Sequence, residues 1–314
     1  MSDLKNRNRH RWGILYCPKV GAMRPMKRWK EICQYLAEKG VEYDSIMSEN
    51  FSSIERQARM LADNGYETIV VVGGDGAVND AVNGIMTSSA ENKSEIALGI
   101  IPNGIGNDFA AYWGLEKDNY KEAVDWIINR RLRKIDVGRV GYTEGDVCGT
   151  RYFVNAMYIG LGARFVGITN KTRRFLGMQW ISILASMFLL LFERMLHRMH
   201  LKVNGEHIRD TIMTVCIGSA RGYGLTPSAV PYNGWLDVSV VYRPELLQLF
   251  QGLWLLVNGR LLNLKKVVKP YRTKKVKVLR AQNAVISLDG RQMNLDCPLD
   301  VQIMPEALTL IIPK

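Results

Sequence analysis

The segment ETIVVVGGDGAVNDAVNGIM, residues 67–86, constrains the fold more than any other part of the sequence. Residues 69–72 are all β-branched and apolar, which predicts a short buried strand, and a glycine-rich turn follows at 73–76. From residue 78 the apolar side chains recur at helical spacing. A strand, a glycine turn and a helix in this order bring free backbone N–H groups and a helix N-terminus to one point, where they favour an anion such as a phosphate.

Asp75 lies in the middle of this turn, where its carboxylate would repel a phosphate unless a divalent cation separates the two. One interpretation is a magnesium-nucleotide site in which Asp75 contacts the metal directly or through water. In the others, Asp75 caps the helix that follows it, or it hydrogen-bonds a backbone turn. The turn itself does not choose between them, and it matches neither GxxxxGK[ST] nor GxGxxG.

A second glycine turn, PNGIGNDFA at residues 102–110, follows an apolar run at 96–101 and again leads into a short helix. Turns at the carboxyl ends of parallel strands can face one crevice, which is where open α/β sheets bind ligands. Each turn ends in an Asn-Asp pair, Asn79–Asp80 in the first and Asn107–Asp108 in the second. Each turn alone is weak evidence, but the two together predict a phosphate-binding site.

The chain changes its pattern near residue 135. Residues 11–135 alternate strands with helices, which implies right-handed crossovers and a parallel sheet. Residues 136–314 consist of short β-rich runs, and Asn204–Gly205 and Asn233–Gly234 have the pattern of hairpin turns. We therefore predict an α/β domain at 1–135 and an antiparallel β-sandwich at 136–314, with the C-terminal end able to pack back on the first domain.

The second half also contains an apolar insertion near 172–198, whose uninterrupted apolar core spans 180–192. That core is too short to cross a bilayer, since a spanning helix needs about 20 residues. A buried helix and an interfacial helix both fit, and arginines at 173, 174, 194 and 198 are typical of a membrane-surface helix. Glu193, His197 and His200 would share one face of this helix, as polar groups at a helix end rather than as a metal site.

The formal net charge of +12 indicates a polyanionic partner. Residues 260–280 are basic and contain no acid, so they form either a solvated face or, with the apolar helix, a surface that docks on an anionic membrane. Nucleic acid is disfavoured because no aromatic platform or recognised DNA-binding motif accompanies the charge. The five scattered cysteines and the absence of a signal-peptide pattern predict buried, reduced thiols in a cytoplasmic protein.

Several motifs carry a family resemblance. GGDGAVND resembles the GGDGTxNE signature, and PNGIGNDFA the PxGTxNDFA signature, of the diacylglycerol kinase catalytic-domain family of lipid kinases, which is related to sphingosine, ceramide and NAD kinases. Further matches follow in order over nearly the whole chain: YCPKVG, RKIDVGRV, FVNAMYIGLGA, PSAVPYNGWLDV and ISLDGRQM. The resemblance implies a three-layer α/β domain like that of NAD kinases, a C-terminal antiparallel β-sandwich, and nucleotide in the cleft between them.

The resemblance implies transfer of the γ-phosphoryl group of ATP, with Mg²⁺, to the hydroxyl of a diacylglycerol-like or sphingoid lipid. It assigns Asp289 as the general base that takes the hydroxyl proton, and places Asp136 in a carboxylate network behind the turns. It assigns the two turns to the nucleotide through Gly73, Gly74, Asp75, Gly76, Asn79, Asn103, Gly104, Asn107 and Asp108.

Six positions depart from the family pattern, among them Cys17 and Val20, which replace the asparagine and the serine of its NPxSG segment. Ala77 and Ile105 replace threonines, and Asn233 replaces an aspartate that resembles a structural magnesium ligand in some relatives. Arg291 replaces the glutamate of the DGE segment, where it could join the catalytic group by holding the γ-phosphate or an anionic acceptor. A solvated arginine on a hairpin is the alternative.

Two other functions stay open at this point. The first is an NAD kinase-like enzyme with a soluble acceptor, against which the second turn, the apolar insertion and the basic surface argue. The second is a lipid- or nucleotide-binding regulator with impaired catalysis, against which the retained Asp75, Asn79 and Asp289 argue. We expect a cytoplasmic protein, attached peripherally to the inner face of the membrane, and a homodimer is compatible with the sequence.

Overall fold

The chain divides into two compact units, the first formed by Met1–Ile135 with Glu306–Lys314 and the second by Asp136–Pro305. The predicted fold class, an α/β domain with a parallel sheet and a C-terminal antiparallel β-sandwich, is confirmed. The computed structural model describes residues 8, 10–18, 23–48, 53–104, 107–116, 119–164, 196–221, 225–245, 248, 251, 255 and 260–313.

The first unit is a parallel sheet with helices between its strands. Its strands are β1 (Trp12–Tyr16), β2 (Tyr43–Met47), β3 (Thr68–Gly73) and β4 (Ala97–Pro102), paired in the order β4–β3–β1–β2. Its helices are α1 (Met23–Glu38), α2 (Ser53–Asp63), α3 (Asp75–Met86), α4 (Asp108–Tyr112) and α5 (Tyr120–Asn129). Strands β3 and β4 are buried along their whole length, which agrees with their continuous apolar sequence.

The second unit is antiparallel. Its strands are β5 (Leu132–Glu144), β6 (Val147–Phe153), β7 (Ala156–Gly160), β8 (His197–Val203), β9 (Glu206–Gly218), β10 (Leu236–Tyr242), β11 (Val268–Thr273), β12 (Lys275–Ala281), β13 (Ile286–Leu288), β14 (Arg291–Met293) and β15 (Leu299–Ile311). They follow the order β14–β13–β7–β9–β8–β12–β15, while β10 pairs with β9 and β11, and β6 pairs with β5. The core includes Phe153, Leu201, Val215 and Val276, all fully buried.

The last strand, β15, contributes to both units. Its first residues pair antiparallel with β12, where Leu299 lies opposite Val278. Near its end it pairs parallel with β4, where Thr309 lies opposite Ala97. The Thr309 hydroxyl donates a hydrogen bond of 2.6 Å to the Ser94 carbonyl, which anchors this end of the strand in the first unit.

One of the two hairpin predictions is confirmed and the other is wrong. Asn204 and Gly205 join β8 to β9 with φ angles of 51° and 84°, as a tight hairpin requires. Gly234 also has a positive φ, 72°, but its N–H donates to Asp136 Oδ2 at 2.6 Å. The Asn233–Gly234 turn therefore belongs to a loop that leads into β10 and is fixed by a carboxylate from β5.

The predicted apolar helix at 175–192, with the arginines at 173, 174 and 194 and with Glu193, lies outside the described residues. Its predicted end is wrong, because residues 197–200 belong to strand β8 and alternate between buried and more exposed positions. His197 and His200 consequently point to opposite faces of a strand, so they do not share a helix face. Among the helices that the structure describes, none is long and apolar enough to cross a membrane.

All five cysteines are free thiols, but the prediction that they are buried is confirmed only for Cys216, since Cys17, Cys33 and Cys297 are partly exposed and Cys148 is exposed. Cys216 is fully buried, and burial raises the pKa of its thiol to about 12. We expect a maleimide at about pH 8 to modify Cys148 rapidly in the native protein and to modify Cys216 only after unfolding, because the thiolate is the reactive form. Mass spectrometry of labelled peptides checks this, and equal labelling rates of the two native thiols would contradict it.

Candidate phosphate-binding site and catalytic carboxylate

The two glycine turns lie side by side at the carboxyl ends of β3 and β4. Gly73 is opposite Pro102 in the parallel register, and the Asn103 N–H donates to the Gly73 carbonyl at 2.8 Å. The end of β1 reaches the same edge, where the Cys17 N–H donates to the Val72 carbonyl at 3.0 Å. The sheet therefore brings together the two turns that the sequence singled out.

Glycine is required where the two turns touch. A methyl group on Gly104 would lie 2.3 Å from the Gly74 Cα and 2.5 Å from the Asn107 Oδ1, and a methyl group on Gly74 would lie 2.8 Å from the Gly104 Cα. These separations are shorter than van der Waals contact, and two of the three involve backbone atoms that cannot rotate away. The bare backbones of the turns therefore pack directly on each other.

Asn107 shapes the second turn from within. It is buried in the left-handed conformation with φ 68°, which asparagine tolerates better than most residues. Its Oδ1 accepts the Gly104 N–H at 2.9 Å, and its Nδ2 donates to the Gly104 carbonyl at 3.2 Å. The Asn107 amide is thus bonded to its own turn, which stabilises the backbone conformation at Gly104.

Asp75 connects the two turns. Its Oδ2 accepts the Asp108 N–H at 3.0 Å and its Oδ1 accepts the Phe109 N–H at 2.9 Å, so the carboxylate caps the N-terminus of α4. The interpretation that Asp75 caps its own helix is wrong, because it is the first residue of α3 and Gly74 is the N-cap. The interpretation that Asp75 hydrogen-bonds a backbone turn is confirmed, and the turn is the second glycine turn.

Each Asp75 oxygen accepts one backbone N–H group, and a carboxylate oxygen has a second lone pair that can meet a metal ion or a water molecule. Within the described parts of the chain, no group of three or more His, Cys, Asp or Glu side chains could hold a metal ion. The arrangement also uses the negative charge of Asp75 to offset the partial positive charge at the start of α4.

We expect Asp75→Asn to lower phosphate transfer about tenfold, because an amide keeps one acceptor for α4 but loses the charge and the second acceptor. The dependence of the rate on Mg²⁺ concentration should be unchanged if Asp75 acts only as a helix cap. Titrating Mg²⁺ at saturating ATP in both proteins checks this point. A shift of the half-saturating Mg²⁺ concentration of about tenfold or more would show that Asp75 is also a metal ligand.

The other predicted residues of the first unit surround these turns. Asn79 is 5% exposed, and its carbonyl and Oδ1 accept hydrogen bonds from Asn83 Nδ2 at 2.9 and 3.3 Å. The Asn103 Nδ2 is buried and has no hydrogen-bond acceptor within the described structure. A buried amide donor in this state suits a ligand that supplies an acceptor oxygen, as a phosphate or a ribose does.

Asp289, the predicted general base, belongs to the second unit, in the turn between β13 and β14. Its Oδ1 accepts the Asn155 and Ala156 N–H groups, both at 2.9 Å, and its Oδ2 accepts the Val154 N–H at 2.8 Å. The residue is 7% exposed with φ 46°. The carboxylate thus fixes the start of β7, a structural role that the sequence did not indicate.

Three further positions also lie in the second unit. Asp136 is 1% exposed, and besides its bond to the Gly234 N–H its own N–H donates to the Pro231 carbonyl at 2.8 Å. Asn233 Oδ1 accepts the Trp235 N–H at 2.9 Å, so this side chain closes a local turn. Arg291 lies across the hairpin from Leu288 and is partly exposed.

Comparisons with known proteins agree with these motifs. Residues 11–140 match the diacylglycerol kinase catalytic domain, and residues 155–312 match the YegS C-terminal NAD kinase beta sandwich-like domain. A diacylglycerol kinase of Bacillus subtilis (strain 168) is 25% identical over 285 residues, 88% of each chain. One of Mycobacterium tuberculosis (strain H37Rv) is 26% identical over 294 residues, 89% of this chain and 87% of the other.

The fold also has solved counterparts. The crystal structure of a diacylglycerol kinase from Bacillus anthracis str. Sterne aligns with a TM-score of 0.73 at 18% identity and covers 97% of each chain. At that identity the likeness concerns the fold alone. The two matching domains, in this order and over most of the sequence, carry the assignment: this chain belongs to the diacylglycerol kinase catalytic-domain family, whose members are kinases that phosphorylate an alcohol group.

Proposed function

We propose that this protein transfers the γ-phosphoryl group of MgATP to the hydroxyl group of a lipid, with a diacylglycerol-like or sphingoid acceptor. Membership of the family supports the reaction class, and the names of the relatives support a lipid acceptor. Magnesium would arrive with the nucleotide as the counterion of its phosphates, and Asp75 would contact it directly or through water while its carboxylate also holds α4. We also propose that the enzyme works at the membrane surface on the cytoplasmic side.

The single observation that carries the nucleotide part of this proposal is the glycine-on-glycine contact between Gly74 and Gly104. It joins two backbone turns at the start of α3, a helix of 12 residues whose N-cap, Gly74, has no side chain. A helix N-terminus beside a turn without side chains lets a polyphosphate approach the backbone N–H groups closely. The Asn103 Nδ2 offers one further donor at the same edge.

In this proposal each group of residues has its own role in phosphoryl transfer. Residues of the two turns bind the phosphates and keep the γ-phosphoryl group in position, which is the main requirement in phosphoryl transfer. Asp289 accepts the proton of the lipid hydroxyl as that oxygen attacks the γ-phosphorus, and ADP leaves. Arg291 would stabilise the negative charge of the transferred group, and Asp136 would support the site through the loop at 231–234.

The test is phosphate transfer from γ-labelled ATP with Mg²⁺ to a total lipid extract in mixed micelles, followed by chromatographic separation of the products. The proposal expects one labelled lipid class, whose hydrolysis would identify a diacylglycerol-like or a sphingoid backbone. NAD in place of the lipid serves as the soluble-acceptor control. Labelled NADP without labelled lipid would overturn the lipid acceptor.

A second candidate function is a lipid- or nucleotide-binding regulator without catalysis. The observation that favours it is the carboxylate of Asp289, which already accepts three backbone N–H groups. These hydrogen bonds give the carboxylate a structural role, which a protein without catalysis would also need. Binding of MgATP and of lipid without any labelled product would support this function over catalysis.

A further inference from the structure

The outer face of strands β8, β9 and β12 is a continuous cationic surface. The inward residues of these strands, such as Leu201, Ile208 and Val276, are buried in the sandwich core. Alternation then places the intervening side chains on the opposite, outer face. The outward cations are all exposed. Lys275 pairs with Asp300, and we call the other five the cationic strand face: Arg198, Lys202, Arg209, Lys277 and Arg280.

Acidic side chains offset little of this charge. Lys202 lies directly opposite Lys277. Two ammonium groups in this position repel each other and lower the stability of the strand pair unless an anion lies between them. Glu206 and Asp210 of β9 lie opposite Val203 and Met199, so the register puts them on the other face. At the rim, Asp300 of β15 lies opposite Lys277 but is bonded by the neighbouring Lys275 at 2.7 Å.

Two histidines lie at the centre of the cationic strand face. The His200 Nε2 is 2.9 Å from the His207 Nδ1, and the imidazole centroids are 5.2 Å apart. The Arg209 Nε donates a hydrogen bond of 3.2 Å to the same His200 Nε2. This nitrogen can accept that bond only when it carries no proton, so the contact requires a neutral His200.

The surroundings of His200 oppose its protonation. Partial burial, followed by the charge of Arg209 and then by His207, lowers the pKa of His200 below its usual value. The charged or titratable groups that face it are Arg198 and Lys202 on its own strand, His207 and Arg209 on β9, and Lys277 and Arg280 on β12. A bound anion would compensate these positive charges, so anion binding and proton uptake by His200 should favour each other.

We propose that the cationic strand face docks on a bilayer of anionic phospholipids, and that proton uptake at His200 strengthens the docking as the pH falls. The inference rests on the proposed function in one respect, because a kinase of lipids has to reach a bilayer. Its residues are distinct from the turns and from Asp289. Phosphate groups of several lipids can occupy a flat sheet face at once and separate the cations that repel each other.

The same charge could attract nucleic acid, but the face lacks what single strands use. Among the described residues of β8, β9 and β12 that point outward, none is Phe, Tyr or Trp, and base stacking needs such rings. Three cations of the neighbouring basic run are also neutralised by acids, since Lys269 pairs with Glu206, Arg272 with Asp237 and Lys275 with Asp300. The cationic strand face therefore differs from the whole 260–280 run that the sequence suggested.

The test is cosedimentation of the full-length protein, without ATP, with vesicles of phosphatidylcholine alone or mixed with phosphatidylglycerol. We expect Lys202→Glu with Lys277→Glu to weaken binding to the anionic vesicles by a factor of about 20 or more. The matched control is Arg56→Glu with Lys121→Glu, which reverses two exposed charges on α2 and α5 of the first unit. This control should bind the same vesicles within about twofold of wild type, apart from the general change in net charge.

The histidines are tested by the pH dependence of the same binding. Because the pKa of His200 lies below its usual value in the free protein, wild-type binding should strengthen several-fold as the pH falls from about 7 to about 5. His200→Gln with His207→Gln should remove this dependence while leaving binding at pH 7.5 nearly unchanged. An unchanged pH profile in this variant would overturn the role of His200.

Three outcomes separate the inference from its rivals and from the proposed function. Equal vesicle binding by both charge-reversal variants would overturn the docking surface. Loss of binding to a DNA duplex probe in the Lys202/Lys277 variant, with vesicle binding retained, would assign the face to nucleic acid instead. Kinase activity of the Lys202/Lys277 variant in neutral detergent micelles should equal that of wild type. If the wild-type protein phosphorylates no lipid in these micelles, the proposed function is contradicted, and the vesicle-binding result still decides the docking surface.

Discussion

Gly104→Ala is expected to lower phosphate transfer by at least about 100-fold, because a displacement of about 1 Å at a phosphate-binding turn costs that much in rate. The new methyl group would lie 2.3 Å from the Gly74 Cα and 2.5 Å from the Asn107 Oδ1. Relief of the first contact has to separate the two turns, since a Cα cannot rotate away. That separation also strains the bonds from Asp75 to α4.

The matched control is the same chemical change at Gly141 of β5, where the nearest atom to a new methyl group is the Asp300 carbonyl oxygen at 3.7 Å. That is ordinary van der Waals contact, so Gly141→Ala should retain wild-type activity. Circular dichroism and thermal unfolding of both variants show whether the chain still folds, and titration with an ATP analogue measures nucleotide affinity. Full activity of a folded Gly104→Ala enzyme would mean that the contact between the turns does not position the nucleotide.

Asp289→Asn is expected to affect both stability and catalysis. The amide can keep its oxygen toward Asn155 and Ala156, but its NH₂ group then faces the Val154 N–H, which loses its acceptor. Leaving one buried donor without a partner should lower the free energy of unfolding of the second unit by about 2 kcal/mol. If Asp289 is also the general base, kcat should fall by at least about 100-fold while the affinity for MgATP is unchanged.

Asp237→Asn separates these two effects. Asp237 is likewise 7% exposed and accepts hydrogen bonds from Arg272 Nε at 2.8 Å and Ser228 Oγ at 2.9 Å. Its substitution should cost a similar amount of stability, with phosphate transfer below the melting temperature changed by no more than a few-fold. Equal kcat values in the two variants would assign Asp289 a structural role and would mean that another group is the general base.

The parts of the fold that the sequence predicted are those in which neighbouring residues decide the structure. Residues 67–86 form the predicted strand, turn and helix because burial of β3, the turn and the apolar face of α3 are all local properties. Gly40 and Gly65 follow the last turns of α1 and α2 with φ angles of 65° and 82°, the left-handed conformation that glycine adopts readily after a helix.

The parts that failed depend on contacts between distant residues. The donors that meet Asp75 come 33 and 34 positions later, so the cap of α4 could not be deduced from the first turn alone. Asp289 likewise accepts N–H groups more than 130 positions earlier in the chain. Spacing in sequence gave no signal for either, and Asn107, whose residue type often caps helices, gave no sign that the carboxylate of Asp75 caps α4 instead.

The start of β8 was mistaken for a helix for a different reason. The apolar run before it extends a helical pattern as far as His200, and that pattern concealed the alternation of buried and exposed residues that begins at His197. Composition likewise does not reveal that Lys269, Arg272 and Lys275 of the basic run at 260–280 each have an acidic partner. In both places a one-dimensional pattern does not show which face of a sheet each residue occupies.

Because β15 belongs to both units, the sheet of the first unit can be completed only after nearly the whole chain has been synthesised. Translation delivers β4 roughly 200 residues before the segment around Thr309 that pairs with it, so the nascent first unit carries an open sheet edge for most of the time on the ribosome. Open edges recruit other strands, and chaperones or fast local folding have to protect them. A fragment ending at Ile135 should therefore aggregate, whereas the same fragment extended through a short linker by residues 306–314 should remain monomeric.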